Sequence, residues 1–441
     1  MAGNGEQPPA SRPRFSGDLT INCLDHDLLC RVFIRFPSFA ALVRAVLSCN
    51  EWRRVVASDP DFRRRFSAIH SPLLGLFFDP PADLGPAVPS FAPVRRDDPE
   101  LATVIRSGDF FLTPLHVSPK VPPSWTVADA RGGLLLLTSL RTGEYLLAVL
   151  NPLERERRVL GYFNLNEANI LEDVRGEEPQ VLQARLICAD EDPSRFRIFC
   201  LAHDERRLRV LVFSHDDTNG LLLPWIEAPG RSGPRLDWLE DGMQVGEFIY
   251  WFYRNHRYVV VMDTRELRYH VEAIHPSLNL NDYQSHLLLG EHSTNANGLL
   301  LGEHTTNANG LALSLQIVYA DGNRVCRKLG GSHGSLAGTW TAGRVSDLGA
   351  ELANMPRDVP LGHELVPVAL RDGFLYFTTS RVYQHANIPC WYASFNMETG
   401  EVERLFLRTN DAGFKPYHMP WPRALSGDYG VFAGQEESTS A

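Results

Sequence analysis

The chain has 441 residues, 44% hydrophobic and 10% aromatic, which is enough apolar material for two or three domains or one large β unit. No apolar run approaches the roughly 18 residues a membrane-crossing helix needs, and a net charge of −10 argues against nucleic acid as a partner. Seven scattered cysteines without a Cys-x-x-Cys pair, and 15 histidines without ligand-type pairing to them, predict neither a disulfide framework nor a metal site, and no cofactor is expected.

Residues 1–18 are polar and rich in Pro, Gly and Ser, and read as a disordered tail without the apolar stretch of a secretory signal. With no Asn-x-Ser/Thr acceptor anywhere, the reading is an intracellular protein of cytoplasm or nucleus. Residues 19–70 then read as three short helices. Asp25 caps the first, whose apolar stripe is Leu28, Leu29, Val32, Phe33 and Phe36, and Pro37 stops it. Ser38 caps a second helix carrying Phe39, Leu42, Val43, Val46 and Leu47, and Asp59-Pro60 starts a third with Phe62, Phe66 and Ile69. Counting Trp52, this is more apolar surface than so small a bundle hides, so some of it faces a partner or the next domain.

The run from Leu24 through Cys49-Asn50-Glu51-Trp52 to Phe62 resembles an F-box, the module that plugs a substrate receptor into a cullin-type ubiquitin ligase. Such modules usually carry Leu-Pro where this chain has Leu24-Asp25, and Cys-Lys-x-Trp where it has Cys49-Asn50-Glu51-Trp52; Asp25 replaces the helix start that proline would preset. The stretches from His70 to Phe78 and from Gly108 to Leu112 are similar to segments of plant, grass-type F-box proteins. The resemblance implies a non-catalytic receptor subunit of an SCF complex. A Skp-type adaptor, and through it a cullin, would dock on Leu24, Leu28, Leu29, Val32, Pro37, Leu42, Val43 and Trp52. A target protein of unknown identity would be held by the rest of the chain. Residues 1–70 hold ten Arg against seven acidic residues, +3, which leaves −13 for residues 71–441; a basic module suits the acidic adaptors of that family. Arg63-Arg64-Arg65 reads as a solvated helix face rather than a nucleic-acid patch.

Residues 71–107 are Pro-rich and read as a linker or long loop, and the period becomes strand-like from about Gly108. Leu134 to Leu137, Tyr145 to Leu150, Phe196 to Leu201, Leu208 to Phe213, Gly246 to Phe252 and Tyr258 to Met262 are predicted strands, the third and fourth forming a hairpin around Asp204 to Arg207. Two units echo each other: Tyr250 and Tyr376 are 126 residues apart, Thr264 and Thr399 are 135 apart, and a third of each offset is the length of a four-stranded blade. The fold class expected is therefore α+β multidomain, a three-helix module followed by a mainly antiparallel all-β domain. Over 108–430 that domain reads as a β-propeller of six to eight blades, six first among them, as in F-box-associated domains. A β-sandwich or two smaller β domains fit the same strands, and 431–441 reads as a second disordered tail.

Two local features stand apart. Residues 287–298 recur at 299–310 with Thr305 for Ser293, a repeat too short for a blade and read as an extra loop. Gly330-Gly331-Ser332-His333-Gly334 matches the Gly-x-Ser-x-Gly nucleophile elbow, with Asp347 and His363 following in triad order, so a serine hydrolase is the alternative function. No amphipathic helix follows Ser332, as an elbow requires. A third possibility is an F-box-like protein that binds no adaptor.

Overall fold

The computed structural model describes residues 24–425 apart from 71–72, 81–86, 96, 117–123, 142–143, 155–158, 166–179, 189–194, 204–206, 230–238, 255, 279–286, 293–313, 333, 355–364, 372, 380–388, 410–412 and 423–424. Both expected tails and the second copy of the duplicated segment lie outside the described residues.

Four helices come first: α1 (His26–Phe33), α2 (Phe39–Leu47), α3 (Asn50–Ser58) and α4 (Pro60–Ile69). The three caps read from sequence form. Asp25 Oδ1 accepts the Leu28 N–H at 2.8 Å, Ser38 Oγ that of Ala41 at 3.2 Å, and Asp59 Oδ1 that of Phe62 at 2.9 Å. The fourth helix, α3, corrects the three-helix expectation. Its N-cap, Cys49, makes no side-chain cap bond, so no start signal stood in the sequence; Val55 and Val56, one turn on from Trp52, are its buried residues.

Sheet begins at Leu73, not at 108. The stretch expected as a linker carries β1 (Leu73–Phe78), β2 (Ser90–Pro93) and α5 (Pro99–Ser107). All six residues of β1 are buried; a strand hidden on both faces shows no alternation to read. Five antiparallel sheets follow in chain order. The second blade is β3 (Thr126–Arg131), β4 (Leu134–Arg141), β5 (Glu144–Leu150) and β6 (Val159–Asn164). The third is β7 (Gln180–Cys188), β8 (Phe196–His203), β9 (Arg207–Ser214), β10 (Asp217–Leu222) and β11 (Ile226–Glu227). The fourth is β12 (Met243–Val245), β13 (Phe248–Phe252), β14 (Tyr258–Asp263) and β15 (Arg268–Ala273). The fifth is β16 (Leu288–His292), β17 (Ser314–Asp321), β18 (Arg324–Ser332), β19 (Ser335–Ala342) and β20 (Ser346–Asp347), with α6 (Gly349–Ala353) after it. The sixth is β21 (Val366–Arg371), β22 (Phe374–Thr378), β23 (Pro389–Asn396) and β24 (Val402–Thr409). The last strand, β25 (Phe414–His418), pairs antiparallel with β1, so the first blade runs β2-β1-β25 and takes strands from both ends of the chain. The result is a six-bladed β-propeller.

The blades are held by six apolar layers, one between each neighbouring pair. In β4, Leu134 and Leu136 face the third blade, while Leu135 and Leu137 face the first. In β1, Leu74 and Phe77 pack toward the second blade, and Leu73, Leu76 and Phe78 toward the sixth. Middle strands such as β13 and β22 are sandwiched between two layers, which is why Phe-Ile-Tyr-Trp-Phe and Phe-Leu-Tyr-Phe-Thr read as unbroken apolar runs. The echoing residues hold equivalent places, Tyr250 in β13 and Tyr376 in β22, both second in their blades. Those blades are two apart rather than three, so the offset of 126 corresponds to 63 residues per blade, the excess over a minimal blade lying in long connections.

After β25 the chain returns to the helices. Trp421 and Leu425 are buried in one core with Leu29, Phe33, Phe39, Leu42, Val46 and Phe66. The Trp421 ring meets Phe39 edge-on at 5.5 Å between centroids, and the Arg63 guanidinium lies over it at 5.4 Å. On the opposite flank Ser38 Oγ donates to Glu100 Oε2 of α5 at 3.1 Å, and Arg44 pairs with the same carboxylate. The helices therefore do not stand alone. Trp421→Ala should cost about 3–5 kcal/mol, the usual loss for a large buried aromatic. Hydrogen exchange should show α2 and α4 losing protection before the sheet does; unchanged protection in those helices would contradict the shared core.

The seam beside β1 carries a charge. Asp79 Oδ1 accepts the Val127 N–H at 2.7 Å, and the Asp79 N–H donates to Gly413 O at 2.9 Å. Burial pushes the Asp79 carboxyl up to about 6, against the opposing pull of the Val127 N–H and Lys415. The folded state thus holds this proton more tightly than the unfolded chain does. The group costs nothing below about pH 4, and costs stability progressively as pH rises to about 6, reaching roughly 2–3 kcal/mol above it. Asp79→Asn keeps an acceptor for Val127 and removes the charge. Urea titrations should find this variant more stable than wild type at pH 7, with the difference vanishing near pH 4.

Candidate functional site

The helical module divides the sequence-predicted docking residues into two groups. Leu29 and Leu42 are 3% and 0% exposed, packed with Cys30, Phe33, Val46, Phe62 and Phe66. They are core, so they cannot touch a partner, and sequence spacing alone did not separate them from the residues that can. Leu28, 43% exposed, and Pro37 are at the surface, while Leu24, Val32, Val43 and Trp52 are partly covered. Trp52 leans on Phe33 with 5.5 Å between ring centroids. Leu47, on the predicted apolar face of α2, is 50% exposed. Two leucines thus remain in water on a module whose core is closed without them.

Polar side chains link blades that are not sequence neighbours. Lys415 of β25 meets Asp241, just before β12, at 2.5 Å, joining the first blade to the fourth across the ring. Arg185 of β7 donates through Nη1 to Ala128 O at 2.8 Å, and the Leu186 N–H donates to Asp129 Oδ2 at 3.1 Å. Arg371 of β21 reaches Ala130 O. Burial alone would raise the Asp129 carboxyl, but Arg185, Arg131 and Arg371 overcome it and hold it below the usual carboxylate range. His418 is held well below the usual imidazole range by burial and by Arg371 and Arg131, and its Nε2 sits 2.7 Å from Tyr376 Oη. These groups bond one another across blades.

Ser332 is not on a nucleophile elbow. It ends β18 and pairs with Ser335 in a tight β-hairpin, with left-handed Gly331 and Gly334 at φ 64° and 84°. The Gly334 N–H donates to Tyr250 Oη at 2.9 Å. Asp347 lies opposite Arg324, at the other end of β18; eight strand residues put it about 25 Å away. His363 lies outside the described residues. A strand-to-strand turn with the acid at the far end of the strand does not build the hydrolase geometry.

No family model matches this chain, and no curated protein does. Solved structures give weak likenesses. The N-terminal domain of Nup159 is 9% identical over 61% of this chain and 57% of its own, with a TM-score of 0.29. The β-propeller domain of Cps50 (Swd1) from Myceliophteria thermophila is 10% identical over 64% and 73%, with a TM-score of 0.30. A luciferin-regenerating enzyme is 11% identical over 68% and 83%, at 0.29. The chain spans little more than half the length of the Nup159 chain it matches. Likenesses at this level carry no argument, and the propeller rests on the strand pairing of this chain.

The split between core and surface leucines can be measured. Leu42→Ala should destabilise by about 2–5 kcal/mol, and Leu28→Ala by no more than about 0.5 kcal/mol, in matched denaturant titrations. Equal losses would mean that Leu28 is not at the surface.

Proposed function

We propose that this chain is the substrate-recognition subunit of a cullin-type ubiquitin ligase, docking a Skp-type adaptor on its helical module and a target protein on its propeller. The observation that carries the reading is Leu28, left in water by a module whose core is already complete. The resemblance of the Leu24 to Phe62 run to an F-box names the occupant of that surface. The positive balance of residues 1–70 favours an acidic adaptor. The adaptor contacts are Leu28 and Pro37, rimmed by Leu24, Val32, Val43 and Trp52; Leu29 and Leu42 hold the module in shape behind them. Target binding falls to the propeller loops, since rigid blades position variable loops.

The test is capture of purified Skp-type adaptor by the full chain. Wild type should bind, and Leu28→Glu, which places a charge at an exposed position and leaves the fold intact by circular dichroism, should lose at least tenfold in affinity, the scale of a lost interface anchor. A folded Leu28→Glu variant that binds undiminished would move the interface elsewhere. Failure of wild type to bind would make the chain an F-box-like protein without an adaptor.

A further inference from the structure

His26 and Cys30 are four residues apart, so α1 stacks them on one face. The corner between α3 and α4 brings Asp59 against them. Asp59 divides its carboxylate: Oδ1 caps α4 through the Phe62 N–H, and Oδ2 turns to the pair, 3.7 Å from Cys30 Sγ and 3.9 Å from His26 Nε2. One ligand atom from each residue lies within 4.8 Å of the other two. His26 and Cys30 become a ligand pair only on the helix that stacks them, and nothing in the sequence shows that Asp59, 29 residues beyond Cys30, completes the set.

We propose that His26, Cys30 and Asp59 form a site for a divalent transition ion of the Zn²⁺ class. Thiolate, imidazole and carboxylate together are the borderline-soft set that selects zinc over the all-oxygen ions magnesium and calcium. Bonds of about 2.0–2.3 Å in a tetrahedron place ligand atoms roughly 3.3–3.6 Å apart, so the contacts to Asp59 Oδ2 need to shorten by only a few tenths of an ångström. His26 is at the surface, and its side chain can make the adjustment. Three protein ligands leave a fourth position, which water fills. On binding, the Cys30 thiol gives its proton to solvent and the sulfur bonds the ion. Arg65 Nη2, 3.6 Å from Asp59 Oδ2, supplies positive charge to the same carboxylate and is the cation the metal competes with. The ion would tie the start of α1, where Leu28 lies between the two ligands, to the α3–α4 corner.

Co²⁺ is the probe, because a cysteine ligand gives it a thiolate-to-metal absorption band. Titration of the full-length protein should develop that band with one equivalent of Co²⁺. Zn²⁺ should displace it and raise the thermal midpoint. His26→Ala, a surface change, should weaken Co²⁺ binding at least tenfold with the fold unchanged. Cys30→Ser should abolish the band, and Cys49→Ser should leave it as in wild type. Absence of a thiolate band in the folded wild type would overturn the proposal, as would undiminished binding by His26→Ala or loss of the band in Cys49→Ser. Because Cys30 is buried, His26→Ala decides the matter if the serine variant fails to fold.

Discussion

Pairing of β1 with β25 is the constraint on which the molecule depends. It sets Gly75 opposite Tyr417, Phe77 opposite Lys415 and Phe78 opposite Phe414, and so closes the ring. The 335 residues between Phe78 and Phe414 must be brought end to end for this, a chain-entropy cost of about 5 kcal/mol beyond that of the shortest loops. What offsets it is two apolar layers at once. β1 lies in the first blade with Leu74 and Phe77 against the second blade and Leu73, Leu76 and Phe78 against the sixth, and Tyr417 and Phe414 of β25 join the same two layers. On the other side of β1, Gly75 makes room for β2, since a Cβ there would sit 2.4 Å from Ala92 O. Outside the layers, Arg95 of the first blade grips Glu403 of the sixth through two bonds of 2.7 Å. That pair is at the surface and adds little beside the packing.

Closure also explains where prolines occur in the sheet. Pro416 lies in β25 and Pro367 in β21, strands that have a hydrogen-bonded neighbour on one side only. A residue without an N–H is tolerated at such an edge, and Pro389, in the central strand β23, is that strand's first residue, the other place where proline is tolerated. The free edges meet each other around the axis, where Arg185, Arg371, Lys415 and Asp241 bond across the gap. Charges are stable there because each faces an oxygen or a carboxylate of another blade.

How much of this was legible in the sequence depended on whether the signal was local. Caps are local, and Asp25, Ser38 and Asp59 were all readable as helix starts. Middle strands were readable as apolar runs, and the Tyr250–Tyr376 echo pointed to repeated blades. What failed was non-local. The run from Leu73 to Phe78 fell at the start of the expected linker because its partner, β25, lies at the far end of the chain. The helix α3 lacked a cap and carried two arginines beside its valines, so it showed neither a start nor a clean stripe. On the module surface, the spacing of Leu28, Leu29 and Leu42 put all three on apolar faces, and only the packing of α4 and Trp421 decides which of them are covered. Asp59 was legible as a cap; that its second oxygen meets His26 and Cys30 follows from the α3–α4 corner alone.

The same closure governs how the two halves are joined. α4 ends at Ile69 and β1 begins at Leu73, so only three residues separate the module from the strand that shuts the ring. On leaving β25, the chain goes straight back to bury Trp421 and Leu425 in the module. The helices are thus held at two points by the two strands of one blade, with Glu100 of α5 gripping Ser38 and Arg44 on a third side. An attachment of this kind resists rotation where a single linker would allow it. Under the function proposed above, a fixed angle between docking surface and blade loops would narrow the search for a reacting group on the target, which is the advantage of proximity in any transfer reaction. The short connection at residues 70–72 and the returning Trp421 make that rigidity a property of the chain itself, independent of whatever occupies either surface.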